Sequence, residues 1–324
     1  MTAGTADRLR HAEHVMGTVF SVTVRDPGPR TGPALERAVA RLHEIDALFS
    51  PYREDSAVSR LDRGEVTVGQ CHPDVAEVLA RCRETAAQTG GWFTAHPAGR
   101  LDPSGWVKGW AVDEVCRALC AAGSREHCVS GGGDVRTTGG PWRIGVANPL
   151  LPGTLAAVLT GTGLAVATSG TAERGAHIMD PFTGRPAVAL ASLTLVGDPG
   201  TGLARTDAWA TAVFAMGPER GLAWAEQQAG IEALAVLPDG RRLRTGGLSR
   251  HLSAAGPADW TLRAPCPGTA GAPAGPPERA AVVSKSAAAA DHRQVEDLGA
   301  AEGRANDNRA RAAGGAASRP GNRA

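Results

Sequence analysis

The periodicity of apolar and polar positions divides most of the chain into strands and helices. Met16–Arg25 alternates apolar with polar residues at period two and predicts a strand. From Pro33 to Phe49 the period becomes helical, with Leu35, Val39, Leu42, Ile45 and Phe49 on one face. Ser50-Pro51-Tyr52 stops this helix, and Ser56–Leu61 follows as a short polar turn or helix. A second amphipathic helix runs from Pro73 to Thr89 and ends at Gly90-Gly91. Leu101–Gly109 opens, through a turn at Ser104-Gly105, into a helix over Val107–Ala122 that buries Val112, Val115, Cys116 and Leu119.

Strands are then expected at His127–Ser130, Val135–Thr138, Trp142–Val146 and Leu155–Thr160. Leu164–Ala167 is a buried strand that breaks into a polar turn at Thr168-Ser169-Gly170. Ser192–Val196 is another strand, and Thr206–Gly217 is a helix with Thr206 as its N-cap. Pro218–Ala229 continues as helix, Ile231–Leu237 and Arg241–Thr245 form strands, and Asp259–Arg263 is a last short one. This mixture predicts an α+β fold with antiparallel-leaning sheets covered by helices. From Pro265 on, Ala, Gly, Pro and Arg dominate and the periodicity is lost. Three regions result: a flexible leader over 1–14, one domain over 15–264, and a disordered tail over 265–324.

Composition narrows the function classes. The net charge is +1 over 324 residues, so no electrostatic footprint of nucleic acid or of an anionic membrane is present. No apolar run reaches transmembrane length, and the N-terminus carries neither a signal core nor a cysteine for a lipid anchor, so a cytoplasmic protein is expected. The six cysteines include no CxxC pair and are taken as core residues or incidental thiols. Lysine occurs only at 108 and 285.

Lys108 is the first residue whose chemistry conflicts with its local structure. A lysine near a helix start opposes the helix dipole unless an anion sits there, and Gly105 would let the backbone approach such an anion. Asp207 and Thr211 are four residues apart, so both oxygens leave one side of their helix. With a backbone carbonyl from elsewhere they make an oxygen-only site suited to Mg²⁺. The plain alternative is an acid that serves the helix dipole and a threonine bonded to its own backbone. Trp92-Phe93-Thr94 after the glycine pair is a hydrophobic plug or a wall for an aromatic ring. Tyr52, the lone tyrosine, either packs or stacks on a planar ligand. His177-Ile178-Met179-Asp180-Pro181, followed by Thr183-Gly184, puts an imidazole and a carboxylate on a loop; a polar hairpin with one satisfied histidine is the plain alternative. Gly131-Gly132-Gly133-Asp134 permits a tight turn or close approach of a large ligand.

In this order the motifs resemble the ApbE family of FAD:protein FMN transferases. The matching residues are Met16-Gly17-Thr18, Phe49-Ser50 through Ser59-Arg60-Leu61, Gly90-Gly91-Trp92-Phe93, and Leu101-Asp102 through Lys108-Gly109 and Asp113. They continue with Gly132-Gly133-Asp134, Thr168-Ser169-Gly170, the His177–Gly184 segment, and Thr206-Asp207-Ala208 through Thr211. Thr94 and Ser130 depart from the family pattern, which usually has Asp and Asn there.

The resemblance implies an ApbE-like, T-fold-like architecture around a flavin cleft. It implies FAD as substrate, Mg²⁺ as cofactor, and transfer of FMN to a Thr or Ser of an acceptor flavoprotein with release of AMP. It also implies Asp207, Thr211 and the Gly105 carbonyl as metal ligands. Met16, Tyr52, Trp92, Phe93, Thr94, Asp102, Lys108 and His177 would form the FAD pocket, with His177 as general base. An FAD pyrophosphatase yielding FMN and AMP, or a flavin-binding protein without turnover, are the alternatives.

Overall fold

The computed structural model describes residues 8–172 and 175–253. The expected strand at Asp259–Arg263 and the tail from 265 lie outside them. Ten strands and six helices follow in order: β1 (Leu9–Val15), β2 (Thr18–Val24), α1 (Thr31–Phe49), α2 (Ala57–Asp62), α3 (Pro73–Gln88), α4 (Ser104–Ala121), β3 (His127–Gly131) and β4 (Asp134–Thr138). Then come β5 (Trp142–Ala147), β6 (Leu155–Gly161), β7 (Ala165–Gly170), β8 (Ser192–Gly197), α5 (Leu203–Met216), α6 (Pro218–Glu226), β9 (Ile231–Val236) and β10 (Arg242–Arg244).

Eight strands form one sheet in the order β1-β2-β3-β4-β7-β8-β9-β10, and β5 pairs with β6 as a separate hairpin. Every pairing is antiparallel. The large sheet buries both faces in its central strands, and side-chain alternation shows how. Ala165 and Ala167 of β7, Leu193 and Leu195 of β8, and Ala233 and Ala235 of β9 join a core with α1, α4 and α5. Val166, Val196, Leu234 and Val236 point the other way, into a second core with Trp142, Ile144 and Leu159 of the hairpin. A strand covered on both sides needs no polar face, so Ile231–Val236 is buried throughout.

Four local expectations change. Leu9–His14, placed in the leader, belong to β1, a strand paired with β2 along its whole length. Thr168-Ser169-Gly170 is not a turn: β7 runs through it, in register with Ser192–Thr194 of β8. Three polar residues at a strand end look like a turn locally, and only the neighbouring strand shows that the ladder continues. Helix α4 begins at Ser104, so Ser104-Gly105 is its first turn and Lys108 sits in its second. Helix α5 begins at Leu203, so Thr206 is inside it, and its hydroxyl donates to the Gly202 carbonyl at 2.8 Å.

Helices α4 and α5 approach closely because Gly109 has no side chain. A Cβ there would lie 2.6 Å from the Leu203 carbonyl oxygen and 2.8 Å from Ala204 Cα. One turn later, the Asp113 carboxylate accepts the Leu203 and Ala204 amides, each at 3.0 Å. Gly202 offers no side-chain cap, so a residue of α4 caps α5 from another helix. Burial pushes the Asp113 carboxyl above its ordinary pKa, against the two amides that favour its charged form. This glycine and this aspartate together set the register of α5 on α4.

Candidate active site

That register decides what Lys108 meets. Its ammonium donates to Asp207 Oδ2 of α5 at 2.8 Å and to Asp134 Oδ2 at the start of β4. Asp134 is fully buried, and its other oxygen accepts the Thr168 amide of β7 at 2.8 Å. Two carboxylates therefore share one ammonium, which leaves an excess negative charge in a largely buried cluster.

Hydroxyls and a backbone carbonyl adjoin this charge. Thr211 lies one turn beyond Asp207 and its Oγ1 contacts the Asp207 carbonyl at 3.3 Å. Ser169 shares the helix-facing side of β7 with Ala167, and its Oγ lies 3.5 Å from Thr211 Oγ1. A Cβ on Gly105 would lie 3.8 Å from the same Thr211 oxygen, so the first turn of α4 touches α5 here. The structure thus places Gly105, Lys108, Asp207 and Thr211 near one another, with Asp134 and Ser169 beside them. Neither addition is among the expected metal-ligand, FAD-pocket or general-base residues. A buried aspartate directly after a glycine turn was the available signal, and it had a hairpin explanation.

The remaining expected residues surround the cluster unevenly. Met16 and Gly17 form the two-residue turn between β1 and β2, with φ of 55° and 65°. Positive φ costs a methionine what it does not cost a glycine, and such strain tends to collect at functional sites. Thr18, next to that turn, and Lys108 flank Gly132, where a Cβ would meet each of them at 3.2 Å. Asp102 accepts the Ser104 amide at 2.9 Å and so helps start α4.

Phe93 is buried and packs beneath Gly105, so it supports the cluster from below instead of presenting a face to solvent. Trp92 is half-buried and stacks edge-on with Phe182 at 4.8 Å, with the Arg220 guanidinium 5.1 Å from its ring centre. Phe182 belongs to the His177 loop, which is how that loop reaches Trp92. His177 is exposed, with Nδ1 3.1 Å from the Gly175 carbonyl. Thr94 accepts the His96 amide at 3.0 Å. Tyr52 is 91% exposed.

The donor set suits a divalent cation. Asp207 and Thr211 present hard side-chain oxygens of the kind such an ion takes, beside the Asp134 carboxylate. Among the described residues, no group of three or more His, Cys, Asp or Glu side chains could hold a metal ion, so an ion at this point would need hydroxyl or carbonyl oxygens as well. A polar cavity of about 270 Å³ lies elsewhere, behind Asp113, and includes Glu77, Arg81, Glu84 and Arg205 in its lining. None of the expected site residues lines it.

The ApbE family model matches residues 16–98 and 93–235, which include every residue of this cluster. The chain belongs to the ApbE family. Among individual relatives, a Rhodobacter capsulatus protein named FAD:protein FMN transferase is 33% identical over 173 residues. That match covers 50% of this chain and 32% of the relative, so it spans about a third of the relative's length. A Treponema pallidum protein of the same name is 30% identical over 316 residues, covering 73% of this chain and 86% of that one. The crystal structure of Pseudomonas stutzeri flavinyl transferase ApbE in its apo form superposes with a TM-score of 0.66 at 23% identity. That superposition covers 78% of this chain and 100% of the other, and it establishes that this chain has the ApbE fold. No helix among the described residues is long and apolar enough to cross a membrane.

Proposed function

We propose that this ApbE-family chain transfers FMN from FAD to a Thr or Ser hydroxyl of an acceptor flavoprotein in a Mg²⁺-dependent reaction that releases AMP. The observation that carries this reading is the convergence of Lys108, Asp207, Thr211 and Gly105 from two helices on one point. A diphosphate needs positioning and charge neutralisation above all, and these are the groups that supply them. The relatives' common name supports the same reading.

Asp207, Thr211 and the Gly105 carbonyl would hold the Mg²⁺. Bound there, the ion would draw charge from the FAD diphosphate and stabilise the departing AMP phosphate. Lys108 would hold the diphosphate oxygens with its ammonium, and Trp92 would face the flavin. The acceptor oxygen bonds to the FMN phosphorus as the bond between that phosphorus and the bridging oxygen breaks, and AMP departs with that oxygen.

His177 would take the acceptor's hydroxyl proton. A carbonyl can only accept, so the contact to Gly175 assigns hydrogen to Nδ1 in the neutral ring. In that tautomer Nε2 would be the nitrogen that takes the proton.

Incubating the full chain with FAD, MgCl₂ and a candidate acceptor, followed by mass spectrometry, tests the reading. A gain of one FMN on the acceptor is the expected result. Free FMN with AMP would establish a pyrophosphatase, and intact FAD would leave a binding protein without turnover.

A further inference from the structure

We infer that Asp134 is the positioning residue of this site, and that it does so by holding Lys108 as a built-in counter-ion for Asp207. The inference rests on the reading that a divalent cation binds at Asp207. Asp134 is fully buried and both its oxygens are committed, Oδ1 to the Thr168 amide and Oδ2 to Lys108. The amide bond fixes the carboxylate to β7, so it is an anchored partner, not a mobile one. Lys108 spans the gap between that anchor and Asp207. Its stem passes Gly132, where a Cβ would lie 3.2 Å from Lys108 Cδ, so the turn glycine makes room for the stem.

Two buried carboxylates without a cation would repel each other and strand their charge. In the metal-free protein Lys108 neutralises one of them. When a divalent cation takes Asp207, the ammonium gives up that bond and keeps Asp134. Its charge therefore stays paired, and it remains within reach of an arriving diphosphate. Without Asp134, Lys108 would have Asp207 alone among these two carboxylates and would compete with the metal for it.

The roles separate in a double-variant cycle read without flavin. Mn²⁺ alone is titrated into the full chain, free Mn²⁺ is followed by electron paramagnetic resonance, and thermal midpoints are recorded with and without the ion. Asp134→Asn keeps an oxygen for the Thr168 amide but loses the charge, and should weaken Mn²⁺ binding about tenfold or more. Lys108→Met should lower the metal-free midpoint, bind Mn²⁺ more tightly than the parent, and gain more in midpoint from Mn²⁺ than the parent does. The combined variant carries the parent's cluster charge and should recover parental Mn²⁺ affinity.

If Asp134 were itself a metal ligand, its loss in the Lys108→Met background would take Mn²⁺ binding below that of the parent, and that result overturns the inference. Equal midpoint gains in the parent and Lys108→Met would overturn it as well. A parent chain that binds no Mn²⁺ at all would remove the metal reading of Asp207 and this inference with it. A parent that binds while the combined variant does not recover would remove the inference alone.

Discussion

Replacing Gly109 by alanine opposes two effects of known size at one position. Within a helix, Ala is favoured over Gly by about 1 kcal/mol. Against this, the new Cβ would lie 2.6 Å from the Leu203 carbonyl oxygen, roughly 0.8 Å inside a normal carbon–oxygen contact. The obstacle is backbone, as is Ala204 Cα at 2.8 Å, so no rotamer change relieves it. The helices must separate, and the Asp113 bonds to the Leu203 and Ala204 amides, now 3.0 Å, stretch with them.

Overpacking of this kind costs typically about 1–3 kcal/mol, and a weakened cap adds roughly 1. The clash should therefore exceed the propensity gain, with a net loss of about 1–3 kcal/mol in urea unfolding. The functional effect should be larger than the loss of stability alone explains. Separating α4 from α5 moves Lys108 and Gly105 away from Asp207 and Thr211, and a displacement near 1 Å can cost about a hundredfold in rate. FMN transfer by folded protein, measured well below the unfolding midpoint, checks this. A Gly109→Ala variant that is more stable than the parent and transfers FMN at the parental rate would refute the account of how α5 is placed.

Burial holds the His127 imidazole at a pKa of about 4, against an ordinary value of 6.5. The unfolded chain takes up this proton first as pH falls, so the stability is present above pH 6.5 and is lost as pH falls towards 4. That amounts to about 2 kcal/mol between pH 7 and 5, measurable by urea unfolding at both, and His127→Gln should flatten the slope. Asp207→Asn and Thr211→Val should each weaken Mn²⁺ binding measured by titration, the first more because it removes a charge. His177→Ala should lose about 10²–10⁴ in FMN transfer while FAD binding, followed by flavin fluorescence, is largely kept. Unchanged turnover in that variant would remove His177 as the base.

Local pattern alone determined what depends on neighbours a few residues away. The helical faces of α1 and α3 and the apolar runs of β8 and β9 were legible because burial imposes a period of 3.6 or 2 on the residues themselves. Asp207 and Thr211 were legible as a pair for the same reason, since a helix places residues four apart on one side. Lys108 stood out by its conflict with the helix dipole, and the resemblance to the ApbE family added the Gly105 carbonyl as a ligand; no local period encodes the proximity of either to Asp207.

Tertiary structure decided everything that depends on which elements meet. Thr168-Ser169-Gly170 looks like a turn until β8 pairs with it. Asp113 caps a helix that begins 90 residues later, and Lys108 reaches a carboxylate 99 residues away. The physical reason is common to all of these. A side chain's partners across the fold follow from the angle and separation of packed elements, here set by a glycine with no Cβ and a carboxylate between two helices. Neither distance leaves a periodic trace along the chain.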